Sequence, residues 1–226
     1  MFLVDIDNTL LDNDRFGDDL GNTLEQAFGA RECDRYWAIY DELRESLGYA
    51  DYLGALQRFR AGLENDPALL QMSHYLLDYP FAERLYPDAL ATVAHLRSLG
   101  PTAILSDGDI VFQPRKIQQS GAWDAVGGEV LVYIHKQYML VGIQQRYPAA
   151  HYVVVDDKPH ILTEMKRRLG VRLTTVFVEQ GHYAADAISA GLEVEPDMRI
   201  ACIGDLRQRK LVDFLPDAPV ISLGAD

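Results

Sequence analysis

Two aspartates separated by one apolar residue, Asp5 and Asp7, close the short apolar run Phe2-Leu3-Val4. A carboxylate at such a place can attack an electrophile while its neighbour moves a proton, which divides one hard displacement into two easier ones. The plain alternative for either residue is a turn or helix-cap aspartate. The same event, a buried-type run ending in polar groups, recurs three times: Thr102 to Leu105 before Ser106-Asp107-Gly108, Val130 to Ile134 before His135-Lys136, and Tyr152 to Val155 before Asp156-Asp157-Lys158. Together these junctions would bring carboxylates, a hydroxyl and an ammonium to one rim.

Asp5, Asp156 and Asp157 on one rim raise an electrostatic problem, because carboxylates ~4 Å apart repel by about 4 kcal/mol at an effective dielectric of 20. Something cationic must sit among them. Oxygen-only ligands favour a hard divalent ion, and coordination shared with a phosphate suits Mg²⁺. Ser106 alone would merely end a strand, but the backbone N–H groups of Asp107 and Gly108 beside it could face an anion. Lys136 reads either as a surface lysine or as the cation of the rim, with Lys158 its nearest rival and Lys116 a weaker one.

The elements that must position these groups follow from periodicity. Phe2 to Val4 suits a strand buried on both faces, and ligands of open α/β sheets bind beyond the carboxyl ends of strands. Between the first and second strands, residues 14–82 read as consecutive helices, with Tyr36, Tyr40, Leu43 and Leu47, then Tyr52, Leu56 and Phe59, then Leu69, Met72 and Leu76 at helical spacing. Gly48, the region of Gly62 with Asn65-Asp66-Pro67, and Tyr79-Pro80 separate them. Helices are expected over residues 89–99, 113–119, 137–146, 160–169 and 206–214, and further strands over 171–178 and 199–203. Repeated strand–helix units imply an α/β fold, a parallel sheet with helices on both faces. The aromatic stripes of the helical segment read as its own core; Arg35, Arg44, Arg58 and Arg60 serve equally as solvated faces or as holders of an anionic substrate group.

Asp5-x-Asp7-x-Thr9, Ser106, Lys136 and Asp156-Asp157, in that order, resemble the haloacid dehalogenase-like hydrolase superfamily. The resemblance implies a Rossmann-like core over 1–13 and 83–226 and an all-helical cap over 14–82 that covers the site. It also implies an Asp5 nucleophile, an Asp7 acid/base of the kind found in the phosphate-transferring members, and a Ser106 hydroxyl that holds phosphate. Lys136 would orient the nucleophile and neutralise phosphoryl oxygens. Mg²⁺ would be held by Asp5, Asp157, the Asp7 carbonyl and, through water, Asp156. Thr9 would brace the loop. The expected reaction is hydrolysis of a small phosphorylated metabolite; the rivals are a phosphomutase, a metal-free dehalogenase, and a non-catalytic phosphate-accepting regulatory domain.

Composition narrows the partners. With 226 residues, 48% hydrophobic and 24% charged, the chain can bury one large core. Lys+Arg 21 against Asp+Glu 34 gives a net charge of -13, which repels nucleic acid and anionic lipid. Cys33 and Cys202 show no metal-type spacing and suggest reduced thiols. The six histidines are scattered, against a zinc site; His182 reads as structural. With no signal-like start or apolar span, a cytoplasmic enzyme is expected.

Overall fold

The computed structural model describes residues 1–215. Six strands, β1 (Phe2–Val4), β2 (Thr102–Asp107), β3 (Val130–Tyr133), β4 (Tyr152–Asp156), β5 (Leu173–Val178) and β6 (Met198–Ile200), form one sheet in the order β3-β2-β1-β4-β5-β6. Every pairing is parallel. Val4 pairs with Ile104 on one side and Val155 on the other, so the chain order reverses at β1. That topological switch is where an open α/β sheet leaves a crevice.

Period-two alternation sends β1 to both faces. Phe2 and Val4 join Ile104, Val155 and Val176 in one core, whereas Leu3 joins Leu105, Val154 and Phe177 in the other. The first core is closed by α1 (Asn13–Phe28), α2 (Ala30–Leu47), α3 (Tyr52–Phe59), α4 (Ala68–Asp78), α5 (Ala89–Leu99), α6 (Phe112–Gln119) and α7 (Ala122–Ala125). The second is closed by α8 (Leu140–Arg146), α9 (Pro159–Leu169) and α10 (Gly181–Ala190). This is the expected α/β architecture with both faces covered.

The four helices α1 to α4 follow β1 without an intervening strand, and Asp12 and Asp51 cap the amino ends of α1 and α3 through their side chains. Gly48 ends α2 in the left-handed region at φ 80°. There it meets the ring of His135, and a Cβ would lie 2.6 Å from that ring. The helix end is thus docked beside the loop that follows β3.

Several expected elements needed correction: the strand expected over 199–203 is Met198–Ile200, with Ile203 already in a 3₁₀ turn, and the one expected over 171–178 begins at Leu173 after a 3₁₀ turn. Residues 206–214 are not one helix but parts of two 3₁₀ segments, Ile203–Gln208 and Leu211–Phe214. Asp205 accepts the Cys202 N–H and Asp213 the Lys210 N–H, local bonds that compete with a continuous helix. The helix expected from 137 begins at Leu140, because Lys136 and Gln137 are drawn inward as a 3₁₀ turn. Helices α7 and α10 were not expected; α10 buries only Ala184 and so carries little apolar periodicity. Among the described residues no helix is long and apolar enough to cross a membrane.

Candidate active site

Asp5, the first residue beyond β1, donates its N–H to the Val155 carbonyl and stands beside Asp156 at the end of β4. Lys136 reaches between them from the far side of β2. Its Nζ lies 2.5 Å from Asp5 Oδ1 and 2.7 Å from Asp156 Oδ2, the second contact being ionic without hydrogen-bond alignment. The same ammonium donates to the Leu105 carbonyl, and the Lys136 backbone N–H donates to Asp107 Oδ1. Lys136 is 1% exposed and fixed at both ends. Burial alone would lower its pKa, but Asp156 and Asp5 outweigh burial and hold it above the ordinary lysine value, so it stays charged.

Ligand-capable atoms of Asp5, Asp156 and Asp157 all lie within 4.8 Å of one another. Both oxygens of Asp157 and Oδ2 of Asp5 are buried without a hydrogen-bond partner. Burial pushes the Asp5 carboxyl up to about 7, despite Lys136, and pushes Asp157 well up, with Asp156 adding to the shift. Three carboxyls outnumber the two ammoniums that act on them, Lys136 and Lys158, and with their spare oxygens sealed from water they fit a hard divalent cation such as Mg²⁺. Asp156 is already spent on Lys136 and on the Lys158 N–H, so the free pair at Asp157 makes it the better ligand.

The sign of the pH effect follows. Asp5 binds its proton more tightly folded, near 7 against 3.8, so its contribution to stability is present at low pH and is lost as pH rises from about 4 through about 7. A cation binding the ionised carboxylates restores it, by about 2.7 kcal/mol at 100 times its dissociation constant. Melting temperature at pH 6 and 8 should therefore rise on adding Mg²⁺, more at pH 8, and the rise should vanish in Asp157→Asn. An Mg²⁺ response kept by that variant would remove Asp157 from the site.

Asp7 occupies a different environment. It is 22% exposed, with Oδ1 2.7 Å from Lys116 Nζ and Oδ2 accepting from Gln113 Nε2 at 2.8 Å. Gln113 also donates to Ser106 Oγ at 2.9 Å, so one amide ties the Asp7 carboxylate to the serine. Lys116 is itself 1% exposed. Its Nζ bonds Asn13 Oδ1 at 2.8 Å and lies 5.6 to 5.9 Å from the ring centroids of Phe16, Tyr52, Phe81 and Phe112. These aromatic faces attract the cation they enclose. Asp109 caps the start of α6, which sets Gln113 and Lys116 one turn apart on its buried side.

Lys116 and Gln113 are the site residues sequence reasoning missed. Lys116 appeared only as a weak rival to Lys136, yet it serves the other aspartate. The signal was present: polar Gln113 and Lys116 share the buried stripe of α6 with Phe112 and Ile117. Removing the cation with Lys116→Met should leave Asp7 free to swing, and a displacement on the ångström scale can cost about 10²-fold in turnover. Steady-state rates at unchanged substrate affinity are the check.

One expectation fails locally: the Gly108 N–H donates to the Tyr133 carbonyl at 2.9 Å and is not free for an anion. The reason is the continuation of β2 beside β3 through Asp107. Thr9 is buried, and its carbonyl accepts from Gln180, consistent with bracing the loop. His182 is bound to Asp14 through both its N–H and its ring Nδ1. The rim opens into a cleft of about 510 Å³, walled on one side by Trp37, Tyr40 and Tyr49 of the helical segment and on the other by Lys158 and Tyr183. Tyr36, by contrast, is fully buried core.

The model of the haloacid dehalogenase-like hydrolases matches residues 1–191. The chain belongs to this family. A haloacid dehalogenase-like hydrolase of Burkholderia xenovorans LB400 is similar at 55% identity and TM-score 0.86, over 92% of this chain and 97% of that one. Two solved structures are related in fold alone. The HAD-hydrolase YfnB of Bacillus subtilis, bound to magnesium, shows 16% identity and TM-score 0.61 over 91% and 95% of the two chains. The L-2-haloacid dehalogenase of Xanthobacter autotrophicus, with chloropropionic acid covalently bound, shows 18% identity and TM-score 0.57 over 91% and 96%. No curated protein matches the chain. Family membership makes the protein a hydrolase, and hydrolases of this family generally use Mg²⁺.

Proposed function

We propose that this hydrolase cleaves a small phosphate monoester through an aspartyl-phosphate on Asp5. The observation that carries the reading is the contrast between its first two aspartates: Asp5 is 4% exposed and paired with Lys136, whereas Asp7 reaches the cleft under separate control by Lys116 and Gln113. Carboxylates two residues apart in environments this different suit two roles, nucleophile and proton carrier. A dehalogenase has no use for the second.

In the first step an Asp5 oxygen forms a bond to phosphorus as the bond to the leaving oxygen breaks, and Asp7 gives that oxygen its proton. In the second, Asp7 takes a proton from water as the water attacks phosphorus, and inorganic phosphate leaves. The Ser106 hydroxyl and the Lys136 ammonium stabilise the charge on the transferring oxygens. Asp5 and Asp157, with the Asp7 carbonyl, would hold Mg²⁺, which supplies neutralisation of the carboxylate and phosphoryl charge. Residues 14–82 act as a cap over a core of residues 1–13 and 83–226, of which 216–226 lie outside the described residues, and shield the phosphoryl-enzyme from bulk water.

The test is a panel of small phosphate esters and 2-haloacids, each with and without Mg²⁺, read by release of phosphate or halide. Phosphate released only with the metal supports the reading. Halide released without phosphate would replace it by dehalogenation, and interconversion of phosphorylated isomers without net release would replace it by a mutase.

A further inference from the structure

We propose that Arg44 and Lys158, set around the ring of Tyr183, bind a second anionic group of the substrate, so that the ester's leaving group carries a carboxylate. The proposal rests on the phosphate-ester reading and adds the class of substrate.

The helical segment offers six arginines, and their surroundings separate them: Arg15 lies 3.5 Å from Asp19 and Arg31 is exposed. Arg35 is bound to Glu32 at 2.6 Å and to the Phe59 carbonyl. Arg58 pairs with Glu42 at 2.9 Å, and Arg60 reaches only Gln57. Arg44 lines the cleft and makes no ion pair among the described residues. Its guanidinium crosses from α2 to α10, with Cζ 5.4 Å from the centroid of Tyr183. From the core side, Lys158 at the amino end of α9 sets its Nζ 4.7 Å from the same centroid, also without an ion pair among the described residues. Two cations thus gather on one ring, at the edge of the cleft that Asp7 also lines.

Like charges gathered at one ring repel; the rim carboxylates of Asp5, Asp157 and Asp156 offset Lys158, but the acids of the cleft do not offset Arg44. Asp14 is engaged by His182 and by Asn8 Nδ2, and Asp107 by the Lys136 N–H. Asp41 also lines the cleft but is exposed and unpaired with Arg44. In a chain of net charge -13 a carboxylate partner for Arg44 would be easy to supply, so a guanidinium left without one beside the reaction centre, with a second cation on the same ring, reads as a site for a ligand's charge. The guanidinium fork suits a carboxylate in two parallel hydrogen bonds. A substrate spanning from Ser106 and Lys136 to Arg44 would touch both the core and the helical segment, so its leaving group would be recognised only when the two are together.

The matched probes are 3-phosphooxypropanoate and propyl phosphate, alike except for the carboxylate. Their affinities for Asp5→Asn with Mg²⁺, measured by calorimetry, should differ by about 10- to 100-fold in favour of the carboxylate ester. Adding Arg44→Gln should bring the ratio near one, Lys158→Gln should lower it in part, and Arg44→Lys should leave it intermediate. Equal affinities in the parent, no binding of either ester, or a ratio that survives Arg44→Gln would each overturn the proposal. An Arg44 that only latches the helices would weaken both esters alike and leave the ratio unchanged, which also overturns it. If the native chain releases phosphate from neither ester while the ratio persists, the phosphatase reading fails and the anion site stands.

Discussion

On the proposed mechanism Asp5→Asn is expected to reduce phosphate release by on the order of 10⁴-fold or more, because it would remove the atom that bonds to phosphorus and leave only positioning and electrostatics. Acid quenching during turnover should trap phosphate on the native chain and none on the variant. The variant should nevertheless fold well. Burial already disfavours the ionised carboxyl, which is held near 7, so a neutral amide relieves that cost at pH above 7. Without Mg²⁺, the melting temperature at about pH 8 should be at or above that of the native chain. A variant that keeps more than a small fraction of native turnover would exclude Asp5 as the nucleophile, and its unimpaired stability would exclude misfolding as the cause of any loss.

Lys136→Met carries the second large effect, and it acts on stability and chemistry together. Among the described residues the side chain is the only cation within 4.0 Å of Asp5 and Asp156, which are 4% and 0% exposed. Taking one partner from a buried ion pair costs about 3–5 kcal/mol. For a chain of this size that is on the order of 10 °C in melting temperature. Turnover should fall by about 10² to 10³, the loss typical of one charge-stabilising donor. The stability deficit should shrink as pH falls towards about 5, since protonated carboxyls need no counter-ion. A deficit independent of pH would mean that Lys136 contributes packing rather than charge. Lys136→Arg, which keeps the charge in a different shape, should recover stability more fully than turnover.

Much of this site was legible because its parts are local. A buried strand announces itself by a short apolar run, and the residue that follows it lies at the sheet's carboxyl edge whatever the rest of the chain does. Asp5, Ser106, Lys136 and Asp156-Asp157 were therefore placed by strand ends alone, and their order supplied the family. The polar stripe of α6 was equally local but was passed over, since a lysine in a helix reads as solvated unless its neighbours are known to be buried. The carboxyl-terminal 3₁₀ turns and the Gly108 N–H were misread for the converse reason: a competing hydrogen bond, from Asp213 in one case and to Tyr133 in the other, is invisible to periodicity.

The sequence by itself determined the strand–helix alternation, the acidic rim and the need for a cation there, because each depends on residue type and short-range spacing. Only the tertiary structure decided which lysine serves which aspartate. Lys136 lies 131 residues from Asp5, and Lys116 lies 109 residues from Asp7. It also decided that Asp156 is spent while Asp157 is free, and that Arg44, out of the six arginines of the helical segment, reaches the cleft. The physical reason is common to all three: a charge takes its role from whichever partners packing brings within a few ångströms, and that packing is the sum of many apolar contacts none of which is written near the charge itself.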